Sequence, residues 1–145
     1  MVGKVRPVKT FDEAYQILTN EDSLFNPRQE ALVELPDEKL PAKFTPGNAT
    51  ILSYKSQEVI IKTQSENQSF LVLSDTYYPG WKAYIDGKKT KIYRINGIVR
   101  GVFVNAGSHV VKFTYLPKSF MIGLLLSITS VLIFIISNFR LGFCI

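Results

Sequence analysis

The sequence predicts a mainly β protein: an antiparallel β-sandwich or jelly-roll-like domain, with a short N-terminal α/β segment before it and one C-terminal transmembrane helix after it. Three observations carry this expectation. From Ala49 onward, apolar residues recur at period two in short runs separated by turn residues, the pattern of half-buried strands at hairpin spacing. From Phe120 to Ser137 the run "FMIGLLLSITSVLIFIIS" carries no charge. Near the N-terminus, "TFDEAYQILTN" has helical rather than strand periodicity.

Residues 10–20 are expected to form a short helix. Thr10 can cap it and Glu13 completes a capping-box pattern, with Phe11, Ala14, Tyr15 and Leu18 on one face. "EDSLFNPRQ" reads as a polar turn, and "EALVEL" (30–35) as a short strand. Residues 36–48 hold Pro36, Pro41, Pro46 and Gly47, which marks a linker. The β domain then reads as seven short strands: 49–55, 58–64, 70–75, 81–85, 90–95, 98–104 and 109–116. "FLVLSD" is apolar without alternation, so burial on both faces is expected. Pro79-Gly80 suits a type II turn, and Asp86-Gly87 and Asn96-Gly97 suit hairpin turns. In the last strand Val111, Phe113 and Tyr115 share one face, and Val110, Lys112 and Thr114 the other. In "IVRGVFV", Arg100 and Val102 oppose Val99 and Phe103, with Gly101 easing a bend or a close contact.

The apolar C-terminal run, extended to Phe139, gives about 20 residues, and ~30 Å of helix, the thickness of a bilayer core. A helix apolar on every side would need more protein than this chain has to cover it, which favours a membrane span. Gly123 and Ser127 form a small-xxx-small pair, a helix-packing signal. The predicted organisation is therefore an α/β linking segment (1–35), a Pro-rich linker (36–48), an antiparallel β domain (49–117), a transmembrane helix (118–139) and a tail (140–145).

Charge is uneven. Residues 1–75 hold 8 Lys/Arg and 11 Asp/Glu; residues 76–145 hold 9 Lys/Arg and one acid, Asp86. A basic half next to a membrane span attracts anionic lipid head groups or phosphorylated ligands. Nucleic acid is not expected as a partner, because no helix-turn-helix, RNP or zinc-finger pattern accompanies the charge. Cys144 is the sole cysteine, so no intrachain disulfide forms; His109 is the sole histidine, so no His-based metal site or triad is expected, and no cofactor either. "MVGKVRPVKTF" lacks the apolar stretch of a signal peptide.

The candidate contacts cluster between residues 77 and 94. Trp81 reads either as a core anchor or as a sugar-stacking platform; a lone tryptophan in a small β domain usually serves packing. Tyr77 and Tyr78 are adjacent and point opposite ways in an extended segment, so the more exposed one is the better ligand candidate; both could also anchor at a membrane interface. Lys88, Lys89, Lys91 and Arg94 read as a solvated hairpin or as contacts for a lipid or teichoic-acid phosphate. Asp86 most simply satisfies its turn, since glycoside chemistry usually needs a second carboxylate nearby. His109 reads as a hydrogen-bonding turn residue rather than a base.

The stretch from Tyr77 to Ser127 resembles the C-terminal end of the bacterial YfhO-like membrane proteins. The resemblance rests on Tyr77/Tyr78, Pro79, Gly80, Trp81, Ala83, Asp86, Gly87, Asn96, Gly107, His109, Tyr115 and Pro117, in that order ahead of the membrane helix. It implies a polytopic protein of the GT-C glycosyltransferase type, moving sugars from polyprenyl-phosphate carriers onto cell-envelope polymers. The catalytic acid of such proteins is expected in an N-terminal membrane half, so no catalytic residue is assigned here. The implied role is a non-catalytic, extracytoplasmic module with the last membrane helix and a cytoplasmic tail. Its implied partners are membrane lipid, an envelope glycan or polyprenyl-phosphate-linked sugar, and a separate polytopic membrane half. The alternative is a stand-alone single-pass protein whose β domain binds a glycan or a protein. The positive-inside rule on this segment alone would place the β domain in the cytoplasm; the resemblance places it outside, and upstream helices normally set orientation.

Overall fold

The computed structural model describes residues 1–20, 23–35 and 44–141. Most of the expected Pro-rich linker (36–43) and Cys144 lie outside the described residues. The chain forms two units, Met1–Tyr115 and Leu116–Ile145.

The first unit is mainly β, as expected, and holds two five-stranded sheets. In chain order the elements are β1 (Lys4–Val8), α1 (Phe11–Thr19), β2 (Glu30–Glu34), β3 (Asn48–Lys55), β4 (Glu58–Ser65), β5 (Ser69–Thr76), β6 (Trp81–Ile85), β7 (Lys88–Thr90), β8 (Tyr93–Ile95), β9 (Val99–Val104) and β10 (Gly107–Tyr115). The first sheet has the order β1-β2-β8-β9-β5, the second β3-β4-β10-β6-β7. Apart from the parallel β1–β2 pair, all pairings are antiparallel.

The first sheet curls on itself. Val2, just ahead of β1, exchanges backbone hydrogen bonds with Phe70 of β5, at 3.0 and 3.4 Å. The enclosed face is lined by Val2, Ala31, Val33, Leu35, Phe70 and Ile95, with Tyr93 and Phe103 edge-on to Phe70. The outer face of the same sheet presents Leu71, Leu73, Val102 and Val104 to Val59, Ile61, Ala83, Val111 and Phe113 of the second sheet. Both faces of "FLVLSD" are therefore buried, because they serve two different cores. Gly101 sits where these layers are tightest: a Cβ there would run into the Leu71 carbonyl oxygen and the Ile95 side chain.

The N-terminal segment is a β-α-β unit. Strand β1 was not among the expected strands. Its Pro7 would be costly in a central strand, but β1 is at a sheet edge, where the lost donor is tolerated. Helix α1 starts where Thr10 Oγ1 accepts the Glu13 N–H at 3.2 Å; Glu13 Oε2 in turn accepts from Lys9 N–H at 2.7 Å, one residue ahead of the cap. The buried stripe differs from the expected one. Ala14 packs with Val8 and Leu32, with Ile17 beside them, while Phe11, Tyr15 and Leu18 are exposed. Phe11 stacks on Tyr15 at 6.2 Å and lies over Gly97.

The turns follow local chemistry. Asp86-Gly87 (φ 50°, 80°), between the paired Ile85 and Lys88, and Asn96-Gly97 (φ 49°, 76°), in the three-residue loop between the paired Ile95 and Val99, both have the double positive φ of a type I′ turn. Trp81 N–H donates to Tyr78 O at 3.4 Å across Pro79-Gly80, with Gly80 at φ 113°, as a type II turn requires. "TKIYRI" is not one strand. It is split at Lys91–Ile92, where the chain leaves β7 in the second sheet and enters β8 in the first.

In the second unit, α2 (Lys118–Leu141) contains an apolar span, Ser119–Asn138, of 20 residues with mean hydropathy 2.5. Four of its polar side chains bond within the helix. Ser127, Thr129, Ser130 and Asn138 each donate to a carbonyl one turn back, at 2.8–2.9 Å. An apolar environment demands this internal pairing.

Candidate functional site

The structure separates the candidate residues into three groups. The first surrounds Trp81, which leads β6 after the Pro-Gly turn. Its indole is half-buried against the inter-sheet core. The Arg100 guanidinium lies 3.6 Å over the ring, and Tyr115 packs at 5.2 Å. Tyr78 continues the stack against Tyr115 at 6.4 Å. One indole face is thus taken by Arg100 and is not available to a sugar.

Arg100 is the unexpected member of this group. Its side chain is 0% exposed, between the sheets, against 29% for its partner Asp75. Arg100 donates to Asp75 Oδ2 at 2.6 Å and to the Thr76 carbonyl at 2.8 Å, both at the end of β5. Tyr54 also donates to Asp75 at 3.2 Å. Burial draws the Arg100 pKa down from its usual value while the Asp75 charge holds it up; a guanidinium stays charged regardless. The sequence does not single out Asp75 and Arg100 as a pair. The available signal is an arginine on the same strand face as Val102, which alternation alone reads as an imperfection.

The second group lies on the first sheet. Arg94 pairs with Glu34 at 2.9 Å and lies 5.8 Å from the Tyr77 ring. Lys91, in the crossing between sheets, lies 4.9 Å over Tyr93. Tyr77 and Tyr78 diverge as adjacent extended residues should, Tyr77 toward Arg94 and Tyr78 toward Tyr115; Tyr78 is the more exposed, 59% against 37%. The third group is Lys88 and Lys89, exposed on β7 and on opposite faces of it. The basic run 88–94 is therefore one cluster in sequence and three places in space.

His109 and Asp86 tie two turns together. His109 Nδ1 is 2.6 Å from Asp86 Oδ2 and Nε2 is 3.1 Å from the Ala106 carbonyl, while Val110 N–H donates to Asp86 Oδ1 at 2.8 Å. Both ring nitrogens face acceptors, so the doubly protonated imidazolium satisfies the site best. The Asp86 carboxylate, then the Ala106 carbonyl, raise the His109 pKa; His109, then the Val110 amide, lower that of Asp86. Neither ring nitrogen is left to take a proton from a substrate, so this is a structural clasp. Asn96 also joins distant segments. Its Oδ1 accepts from Leu32 N–H at 2.9 Å and its own N–H donates to Leu32 O at 2.8 Å, linking β2 to the β8–β9 turn.

Two open depressions accompany these groups. One, about 620 Å³, is polar and lies among Gly47, Asn48, Gln64, Ser65, Glu66 and Ser108. The other, about 420 Å³, lies on the second sheet around Tyr84 and Val110. Among the described residues, no three His, Cys, Asp or Glu side chains come together as a metal site would need.

The family model for the bacterial membrane protein YfhO matches residues 16–127, spanning nine of the ten strands and the start of α2. The chain belongs to the YfhO family. No curated protein and no solved structure matches it. As a YfhO-family membrane protein, it uses its most recognisable residues for architecture. Pro79 and Gly80 make a turn, Trp81 and Tyr115 stack, Asp86 clasps His109, and Asn96 joins strands.

Proposed function

We propose that this chain is a non-catalytic module of a YfhO-type membrane system that transfers lipid-linked sugars to envelope polymers. In this reading the β domain stands outside the cytoplasmic membrane, where it positions the acceptor polymer or braces a polytopic membrane half that holds the chemistry. The observation that carries the reading is the family match over 16–127, joined to a site whose one acid–base pair, Asp86–His109, is consumed by structure. Tyr78 and the lysines of β7 remain as candidate contacts; Tyr77, Trp81, Lys91 and Arg94 support them through packing and charge.

Two experiments test this. Membrane-impermeant labelling of the lysines in intact cells is expected to reach the β domain; labelling only after the membrane is opened would reject the outward orientation. Co-expression with the membrane half of a YfhO-family protein stripped of its own C-terminal region is expected to restore sugar decoration of the envelope polymer. Absence of decoration, with both pieces stably present in the membrane, would reject the module reading.

A further inference from the structure

We propose that the outward face of the second sheet is a binding surface for a linear phosphate-bearing polymer. The strand register assembles this face from residues far apart in sequence. Lys89, Tyr84, Lys112 and Ile60 form one cross-strand row over β7, β6, β10 and β4. Lys82 lies with Thr114, Glu58 and Lys55 in the row on one side, and Lys62 lies with Val110 and Thr50 on the other. Five lysines thus share a single face with the carboxylates Glu58 and Asp86. Both carboxylates are already engaged, Glu58 by Lys112 and Asp86 by His109. Lys62, Lys82 and Lys89 are exposed and make no ion pair among the described residues.

Charge complementarity selects an anion with several phosphates. Rows repeat at ~6.8 Å along the strands and columns at ~4.8 Å across them. The lysines are therefore spread over the face instead of converging on one point. Lysine meets phosphate as a mobile point charge, which suits a chain of phosphates better than a single fixed group. Between the lysines runs the shallow depression lined by Tyr84, Val110, Thr114, Lys112, Asp86 and Gly87, about 420 Å³ in volume. An apolar trough among separated cations fits a polymer that alternates phosphate with uncharged carbon, as sugar or polyol phosphates do. A plane of lipid head groups has no comparable use for the trough. The proposal rests on the reading of the domain as a module that positions a polymer, and it names the chemistry of that polymer.

The test uses the full chain in zwitterionic nanodiscs with inorganic polyphosphate as the probe. Binding is compared for the parent, for K62E/K82E/K89E, and for R6E/K9E/R28E, which changes net charge equally on exposed positions elsewhere. The face variant is expected to bind about tenfold or more weakly and the control variant less than about threefold, with both effects shrinking as salt screens the charges. K62Q/K82Q/K89Q, expected to lie between parent and face variant, replaces the charge reversal if that variant fails to fold by Trp81 emission. Equal losses in face and control variants, or no binding by the parent, would overturn the proposal. A third arm measures amine labelling with polyphosphate in zwitterionic nanodiscs and without it in anionic nanodiscs. Protection of Lys62, Lys82 and Lys89 by lipid, and none by polyphosphate, would assign the face to the bilayer and likewise overturn it. If binding fails while co-expression still restores decoration, only this proposal falls.

Discussion

The Asp75–Arg100 pair makes a prediction that is asymmetric in its two partners. Asp75→Ala removes the carboxylate bound to a guanidinium that is 0% exposed, leaving Arg100 with the Thr76 carbonyl and the Trp81 face among its described contacts. Breaking a fully buried ion pair costs ~3–5 kcal/mol, and the 29% exposure of Asp75 brings the expectation toward ~2–3 kcal/mol. Arg100→Met removes the charge but keeps an unbranched side chain of similar reach between the sheets. The abandoned Asp75 can hydrate and keeps its bond from Tyr54. The expected cost is ~1 kcal/mol, mostly the lost contact with the indole. The double variant should therefore be more stable than Asp75→Ala alone. Urea unfolding of the full chain in zwitterionic micelles reads this directly, because Trp81 is the only tryptophan and touches the pair. With a slope of ~1.5 kcal/mol per M, Asp75→Ala should lower the midpoint by ~1.3–2 M and Arg100→Met by under ~1 M. If Arg100→Met proves the more damaging, or the two losses simply add, the buried charge is not what Asp75 compensates.

The His109–Asp86 clasp predicts a pH-dependent stability. The lowered Asp86 pKa means its contribution is present above about pH 4 and is lost as pH falls through the depressed value. The raised His109 pKa means its contribution is complete below about pH 6.5 and is lost as pH rises through the elevated value. Urea midpoints between these limits should exceed those at pH 9, and His109→Gln should flatten the alkaline side; an unchanged alkaline slope in that variant would dismiss the clasp. Asn96→Ala loses the bond to Leu32 N–H and places Ala at φ 49°, for an expected loss of ~2 kcal/mol by the same assay. Asn96→Gly relieves the backbone strain and should lose only ~1 kcal/mol; equal losses in the two would show that φ is irrelevant there.

The candidate site was partly legible in the sequence. Tyr77 and Tyr78 were expected to diverge because adjacent extended residues must, and they do. The lysine run could not be resolved the same way. Its interpretation depends on the break at Lys91–Ile92, and the break exists because β8 pairs with β2 and β9 in the other sheet. The helix stripe shows the same limit: helical spacing placed Tyr15 and Leu18 with Ala14, but the surface offered by Val8 and Leu32 selected Ala14 and Ile17.

Short-range chemistry was therefore enough for the turns, the α1 cap, the period-two strands and the membrane span, since each depends on residues within a few positions of one another. Asp-Gly, Asn-Gly and Pro-Gly prescribe their own dihedral angles, and a charge-free run of span length prescribes its own solvent. Only the tertiary structure decided which strands share a sheet, that Arg100 would be buried beneath Trp81, and that Lys62, Lys82, Lys89 and Lys112 would meet on one face. Those outcomes depend on strand register. Register is set by pairings between distant segments, where a slip of one residue would turn every side chain to the opposite face.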